Sequence, residues 1–325
     1  MTNREMFLVE DFGKLAKKPM RDGYGEAIVE VARKDQRVVA LVADLLDSLK
    51  LESFKKEFPN RLIEMGIQEQ NMMGVAAGMA MSGYIPFVNS IACFNPGNNW
   101  GQLRVSVCLT NENVKIIGGH SGFGNGVDGA NQQSFDDLAI ARVLPNLTIL
   151  VPADYEQVKK AVWAMAEKKG AVYMRMTKPA REIITTVDTP FEIGKAQVLR
   201  GGKDITVFAC GAMVCEAMMA AEKLSGIVEV EVINIHTIKP IDVNAIVKSA
   251  KKTGKVITAE EHSVIGGLGS AVAEVLSENC PVPMIRLGMR DSFGESGEPE
   301  ELMQKYGLTS VNLINLIKKL VYKNE

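Results

Sequence analysis

Glu69 stands in the run Met65-Gly66-Ile67-Gln68-Glu69-Gln70-Asn71, between an apolar stretch over 61–65 that reads as a strand and a small-residue stretch over 72–80 that reads as a helix. Open α/β sheets present their ligands at such strand-to-helix junctions. Gly74, Ala76, Ala77, Gly78 and Ala80 in that helix allow a close neighbour, so the carboxyl is placed to be drawn out of water. Desolvation favours a neutral carboxyl, able to donate a hydrogen bond to a ring nitrogen. A plainer role fits the same position: a solvated glutamate that favours the helix dipole or helps to cap it.

The second concentration of chemistry is the loop His120-Ser121-Gly122-Phe123-Gly124-Asn125-Gly126-Val127-Asp128-Gly129-Ala130-Asn131-Gln132-Gln133, which follows a strand and precedes a helix. Glycine costs backbone entropy, so a loop this rich in it points to close approach of a ligand. Gly124 to Gly129 matches the dinucleotide pattern G-x-G-x-x-G, but its glycines lead into Asn-Gln-Gln where that fingerprint opens a helix. Gly266-Gly267-Leu268-Gly269 reads as tight packing of a helix on a sheet. His120, His236 and His262 are far apart, with no spacing that holds a metal. Five cysteines without a CxxC pair argue against a disulfide framework or zinc knuckle and for reduced thiols in a cytosol.

Around these residues, strand-like and helix-like runs alternate. Strands are expected over 37–43, 85–90, 114–119, 147–152 and 171–176, and helices over 22–34, 70–81, 98–110, 135–143 and 155–169. That is the βαβ pattern of a mostly parallel sheet. The stretch 177–194, with two prolines and no sustained period, reads as an interdomain connection. A second set follows, with strands over 204–210, 228–235, 255–260 and 282–287, and helices over 213–224, 243–252, 268–278, 299–306 and 309–320. The fold class is therefore α/β: two doubly wound, mostly parallel sheets, in domains over 15–182 and 197–325 with a linker over 183–196. A chain of 325 residues suits about two domains. Its net charge of −2 gives no electrostatic case for nucleic acid or an anionic membrane. No apolar run approaches the roughly 18 residues of a spanning helix, so a cytoplasmic location is expected.

Taken in order, these motifs resemble the transketolase family. Gly66-Ile67-Gln68-Glu69-Gln70-Asn71 with Gly74-Val75-Ala76-Ala77-Gly78 is similar to its pyrimidine-binding domain. Pro86-Phe87 leading to Phe94, the loop from His120 to Gln133, Thr237-Ile238-Lys239-Pro240, Glu261-His262-Ser263 and Asp291-Ser292-Phe293-Gly294-Glu295-Ser296-Gly297 continue the match over nearly the whole chain. The resemblance implies thiamine diphosphate as cofactor. Glu69 would bond N1′ of its aminopyrimidine, and so take part in acid–base catalysis relayed through the cofactor. It also implies that Phe94 stacks on the pyrimidine and that Asp44 lies near it. Arg21, Ser48, His120 and Arg175 fall on the family's phosphate-holding positions, and guanidinium groups suit a phosphate dianion. Asp128 falls on an aspartate that reads a sugar hydroxyl.

Three departures qualify the match. Gln132 replaces a histidine, and an amide can hold a hydroxyl but cannot shuttle a proton near neutral pH. Ile91 replaces an aromatic three residues before Phe94. The family's Gly-Asp-Gly…Asn motif for Mg²⁺ and diphosphate, a hard cation needing oxygen ligands, is not found. The resemblance therefore implies the C-terminal subunit of a split transketolase, inactive without an N-terminal subunit that carries that motif. The expected assembly is an α2β2 heterotetramer moving a two-carbon ketol unit between sugar phosphates, in pentose phosphate chemistry. Alternatives are the β subunit of a 2-oxo-acid dehydrogenase, half of a 1-deoxyxylulose-phosphate synthase, or a dinucleotide-binding or non-catalytic assembly module.

Overall fold

A computed structural model describes residues 8, 9, 12 and 14–322. The first stretch runs β1 (Lys17–Pro19), α1 (Met20–Lys34), β2 (Val38–Val42), α2 (Glu52–Glu57), β3 (Leu62–Glu64), α3 (Glu69–Met81), β4 (Ile85–Ile91), α4 (Trp100–Gln102), β5 (Lys115–Gly119), α5 (Asp137–Arg142), β6 (Leu147–Leu150), α6 (Tyr155–Glu167), β7 (Ala171–Arg175) and β8 (Ala180–Glu182). The second runs β9 (Gln197–Arg200), β10 (Ile205–Ala209), α7 (Met213–Lys223), β11 (Val230–Asn234), β12 (Thr237–Lys239), α8 (Val243–Thr253), β13 (Val256–Ser263), α9 (Leu268–Asn279), β14 (Met284–Met289), α10 (Pro299–Lys305) and α11 (Ser310–Tyr322).

Two mostly parallel sheets result, as expected. The larger has seven strands in the order β12-β6-β7-β5-β4-β2-β3, and the smaller has five in the order β14-β13-β10-β11-β9. β2, β4, β5 and β7 are buried at every position, so their apolar runs fit a sheet covered on both faces. Helix ends are set by local chemistry. Asp154 accepts the Gln157 N–H at 2.9 Å to open α6, and Gly254, at φ +67°, closes α8.

Several details differ from the pattern read in the sequence. The expected single helix over 98–110 is a short α-turn followed by a π-helical segment, Leu103–Cys108. The expected connection contains β8, which pairs with β1 in a small antiparallel sheet. β12, from the second stretch of chain, pairs antiparallel with β6 and completes the first sheet. One apolar core spans both sheets, joining Leu41, Val88 and Ile116 to Phe208, Ile233 and Ile246. The two halves are therefore packed together, and the sheet boundary does not follow the sequence boundary. Among the described residues all five cysteines are free, and no helix is long and apolar enough to cross a membrane.

Candidate active site

β3 ends at Glu64, whose Oε1 accepts the backbone N–H groups of Asp44 (2.8 Å) and Gly66 (2.9 Å). That one carboxylate ties the C-terminal ends of β2 and β3 together. Gly66, at φ +68°, turns the chain so that Glu69 becomes the first residue of α3. Glu69 is 3 % exposed, so the expected withdrawal from water is present. Its Oε1 accepts from Ser90 Oγ at 3.1 Å and its Oε2 from Asn98 Nδ2 at 3.0 Å. Both donors are neutral, so they orient the carboxyl without placing a cation against it.

Asn98 belongs to the turn after β4, which is itself fixed from inside. Asn95 Nδ2 donates to the carbonyls of Val88 and Ile117 at 3.0 Å each, and the Asn95–Pro96 peptide is cis. Phe94 lies half-buried on this turn. Asp44 is exposed at the end of β2 with φ +56°. Register joins these positions: Ser90 pairs with Gly118 and Ile91 with Gly119, while Val42 pairs with Asn89. Asp44, Glu69, Phe94 and His120 therefore gather at one carboxyl edge of the first sheet, where adjacent strands lie about 4.8 Å apart.

His120 follows β5 directly, at φ +56° and 3 % exposed. Neither ring nitrogen has a partner, and neither does Oγ of the adjacent Ser121. Burial, reinforced by the positive fields of Lys178 and Arg21, pushes the imidazole down to about 3. The ring is therefore neutral at physiological pH. Arg21, in the first turn of α1, donates from Nη1 to the Ser48 carbonyl at 3.1 Å, and its buried Nε is unpartnered. Buried polar atoms without partners are rare and costly. Four of them on Arg21, His120 and Ser121 mark a place built for a polar, electron-rich group.

Arg175 does not stand free as a two-pronged grip. It is 4 % exposed, and its Nε contacts both carboxylate oxygens of Asp137, at 3.1 and 2.8 Å. Its Nη2 donates to the carbonyls of Ser134 (3.0 Å) and Glu261 (2.8 Å). Its Nε and Nη2 are thus taken up within the protein, because β7 ends where the second half of the chain packs down. Asp128 is exposed at the end of a 3-10 segment, Gly122–Asp128, and Gln132 is half-buried with its backbone carbonyl accepting from Asn125 Nδ2 at 3.2 Å. The glycines of the second motif close pack as expected: a Cβ on Gly269 would lie 2.9 Å from Thr258 and Arg286.

Sequence reasoning missed Glu64, Ser90, Asn95, Asn98 and Asp137. The run Asn95-Pro96-Gly97-Asn98-Asn99 was a visible turn signal, and its amide side chains were the available hint.

Two family models cover most of this architecture. Residues 16–182 match the transketolase pyrimidine-binding domain, and residues 194–313 match the transketolase C-terminal domain. The chain belongs to the transketolase family. As a transketolase-type enzyme subunit it is 43 % identical, over 93 % of its length and 94 % of the relative's, to the 6-deoxy-6-sulfo-D-fructose transketolase subunit SqwH of a Clostridium species (strain MSTE9). It is 37 % identical, over 93 % of its length and 97 % of the relative's, to an apulose-4-phosphate transketolase subunit of Phocaeicola vulgatus. A solved structure described as a split gene transketolase, inactive beta4 tetramer, superposes with a TM-score of 0.87 at 42 % identity. It covers 94 % of this chain and 99 % of that one.

Proposed function

We propose that this chain is the C-terminal subunit of a two-subunit, thiamine-diphosphate-dependent transketolase that transfers a two-carbon ketol unit between sugars bearing an anionic tail. The observation that carries the reading is Glu69, a buried carboxylate oriented by two neutral donors at the sheet's ligand-binding edge. This set fits an aminopyrimidine: the carboxyl can meet a ring nitrogen, Phe94 offers a half-buried aromatic face, and Asp44 sits exposed beside them. When bound, the cofactor supplies the carbon nucleophile and electron sink of ketol transfer. Glu69 holds a proton at the pyrimidine N1′, while Ser90 and Asn98 fix the direction of that hydrogen bond. Neutral His120, Ser121, Ser48 and the Arg21 guanidinium take the anionic end of the sugar. Asp128 and Gln132 lie on the same loop, placed to read its hydroxyls.

The relatives' names mention a sulfonate sugar and a phosphate sugar. A guanidinium with neutral donors can hold either anion. Arg175 supports this pocket from behind through its buried ion pair with Asp137.

The diphosphate and its Mg²⁺ are assigned to an N-terminal partner carrying Gly-Asp-Gly…Asn, in an α2β2 assembly; neither nucleic acid nor membrane is a partner. The outer face of α3 supports docking of that partner beside Glu69. A Cβ on Gly74 or Gly78 would meet no other part of the chain within 4 Å, Met81 is 60 % exposed, and Val105 and Leu109 are exposed apolar residues as well. The relatives named above are transketolase subunits, which favours ketol transfer over the dehydrogenase, synthase and dinucleotide-module alternatives.

The test is reconstitution with such a partner, thiamine diphosphate and Mg²⁺, using fructose 6-phosphate and 6-deoxy-6-sulfofructose as donors to an aldose phosphate. Ketol transfer by the mixture, absent from either subunit alone, is expected. Activity of this chain by itself, or decarboxylation of a 2-oxo acid in place of transfer, would refute it.

A further inference from the structure

The loop that follows His120 is held by its own half of the chain, where the Ser121 N–H donates to the Met176 carbonyl at 3.1 Å and the Gly122 N–H to the Ser134 carbonyl at 3.0 Å, and by the second half as well. Glu261, near the end of β13, accepts the Phe123 N–H on Oε1 at 2.9 Å, and its main-chain carbonyl accepts Arg175 Nη2 at 2.8 Å. One residue of the second sheet thus ties down the loop and the arginine together. The fit depends on glycine: Gly122 has φ +60°, and a Cβ there would lie 2.5 Å from the Glu261 carboxyl. Further along, Gln133 Nε2 donates to the Glu295 carbonyl at 2.8 Å and to the Gly126 carbonyl at 3.0 Å. The Gly297 N–H donates to the Gly126 carbonyl at 3.2 Å. The Phe123 ring packs against Phe135 and Tyr306, with centroids at 4.7 and 5.1 Å.

We propose that Glu261 is a positioning residue for the anion-binding end of the site, setting the glycine loop and Arg175 so that His120 and Ser121 face the substrate's anionic tail. Burying a carboxyl this deeply is costly, and the buried Phe123 N–H would be left without a partner if the side chain were removed. The arrangement makes sense where the loop must not drift. Neutral donors such as His120 and Ser121 have no long-range pull on an anion, so their geometry sets affinity. Glu261 makes no contact with the cofactor-facing group around Glu69 in this structure. Its loss is therefore felt in substrate affinity more than in turnover.

This inference rests on the proposed function, and its test has one arm that does not. In the reconstituted enzyme, Glu261→Ala should raise KM for fructose 6-phosphate roughly tenfold, the size of one lost charge-assisted hydrogen bond, with kcat and the response to unphosphorylated fructose little changed. Glu261→Gln keeps an acceptor for Phe123 and should restore KM to within about twofold. Equal losses on both donors, or a glutamine variant as damaged as the alanine one, would overturn the proposal. Gly294→Ala provides a second route, since its new Cβ would press directly on Gln133 Oε1 and displace the loop with every charge retained. It should reproduce the same KM effect. The independent arm is amide hydrogen exchange over residues 120–133 of this chain alone. Glu261→Ala should speed exchange there and leave the first sheet unchanged, whereas no change, or a uniform rise everywhere, counts against positioning. If the wild-type assembly transfers no ketol unit, the functional reading fails and this exchange arm still decides the loop's dependence on Glu261.

Discussion

Glu69 depends on donors 21 and 29 residues away, Ser90 and Asn98, one on the neighbouring strand and one on the turn beyond it. That explains why its position was legible in the sequence and its partners were not: the strand-to-helix junction is local, but the hydrogen bonds exist only once β4 lies beside α3. The same holds for Arg175. Its residue type suggested an anion grip, while its pairing with Asp137 requires α5 to fold back across β7. Exchanging Glu69 for glutamine would present an amide to Asn98 Nδ2 and remove the acid–base group. We expect Glu69→Gln to lower turnover by about 10² to 10⁴. Steady-state rates on the assembled enzyme, with sedimentation to show assembly intact, provide the check.

At the scale of elements, the alternation of buried strands and longer helices was readable because covered parallel strands are mostly apolar. α2, β9 and β12 were not, since six, four and three residues give too little periodicity. The junction of β7, α5 and β13 is where elements couple most strongly. Asp137 there takes bonds from Arg175, from Tyr173 Oη at 2.7 Å and from Ser134 Oγ at 2.9 Å. His262 beside it accepts the Leu138 N–H on Nε2 and donates from Nδ1 to the Ser263 carbonyl, which fixes a neutral tautomer. Arg175→Ala strands a buried carboxylate and should cost about 3–5 kcal/mol of stability. Adding Asp137→Asn removes that stranded charge, so the double variant should regain more than half of the loss. Denaturant midpoints of the single and double variants decide this, and additive losses would contradict it.

For the whole molecule, the buried histidines set the acid limit. Burial pushes His236 and His262 down to about 4 and His120 to about 3. A folded-state value below the unfolded one means that stability is fully present above about pH 6.5. It is lost as the unfolded chain takes up protons that the folded chain refuses, by about 1.4 kcal/mol per pH unit for each histidine. Glu260, raised by burial to about 7, acts in the opposite sense between about 4.5 and 7. Burial raises Glu261 and Glu216 as well, and they act with Glu260; the three histidines are expected to outweigh these carboxyls and leave a net loss on acidification. Urea unfolding at pH 7.5, 6.0 and 5.0 should give steadily lower midpoints, and a flat profile would show that these imidazoles protonate in place.

β12 carries one more implication. By pairing with β6 it becomes the end strand of the larger sheet, yet it is delivered by the far half of the polypeptide. A fragment cut at the connection would bare the backbone of Ile149 and Leu150 that β12 pairs and free the Val151 N–H from the His236 carbonyl, inviting strand-to-strand self-association. The chain's two halves are thus unsuited to separate lives: expressed alone, residues 15–196 should aggregate, and adding back the complementary fragment should rescue solubility.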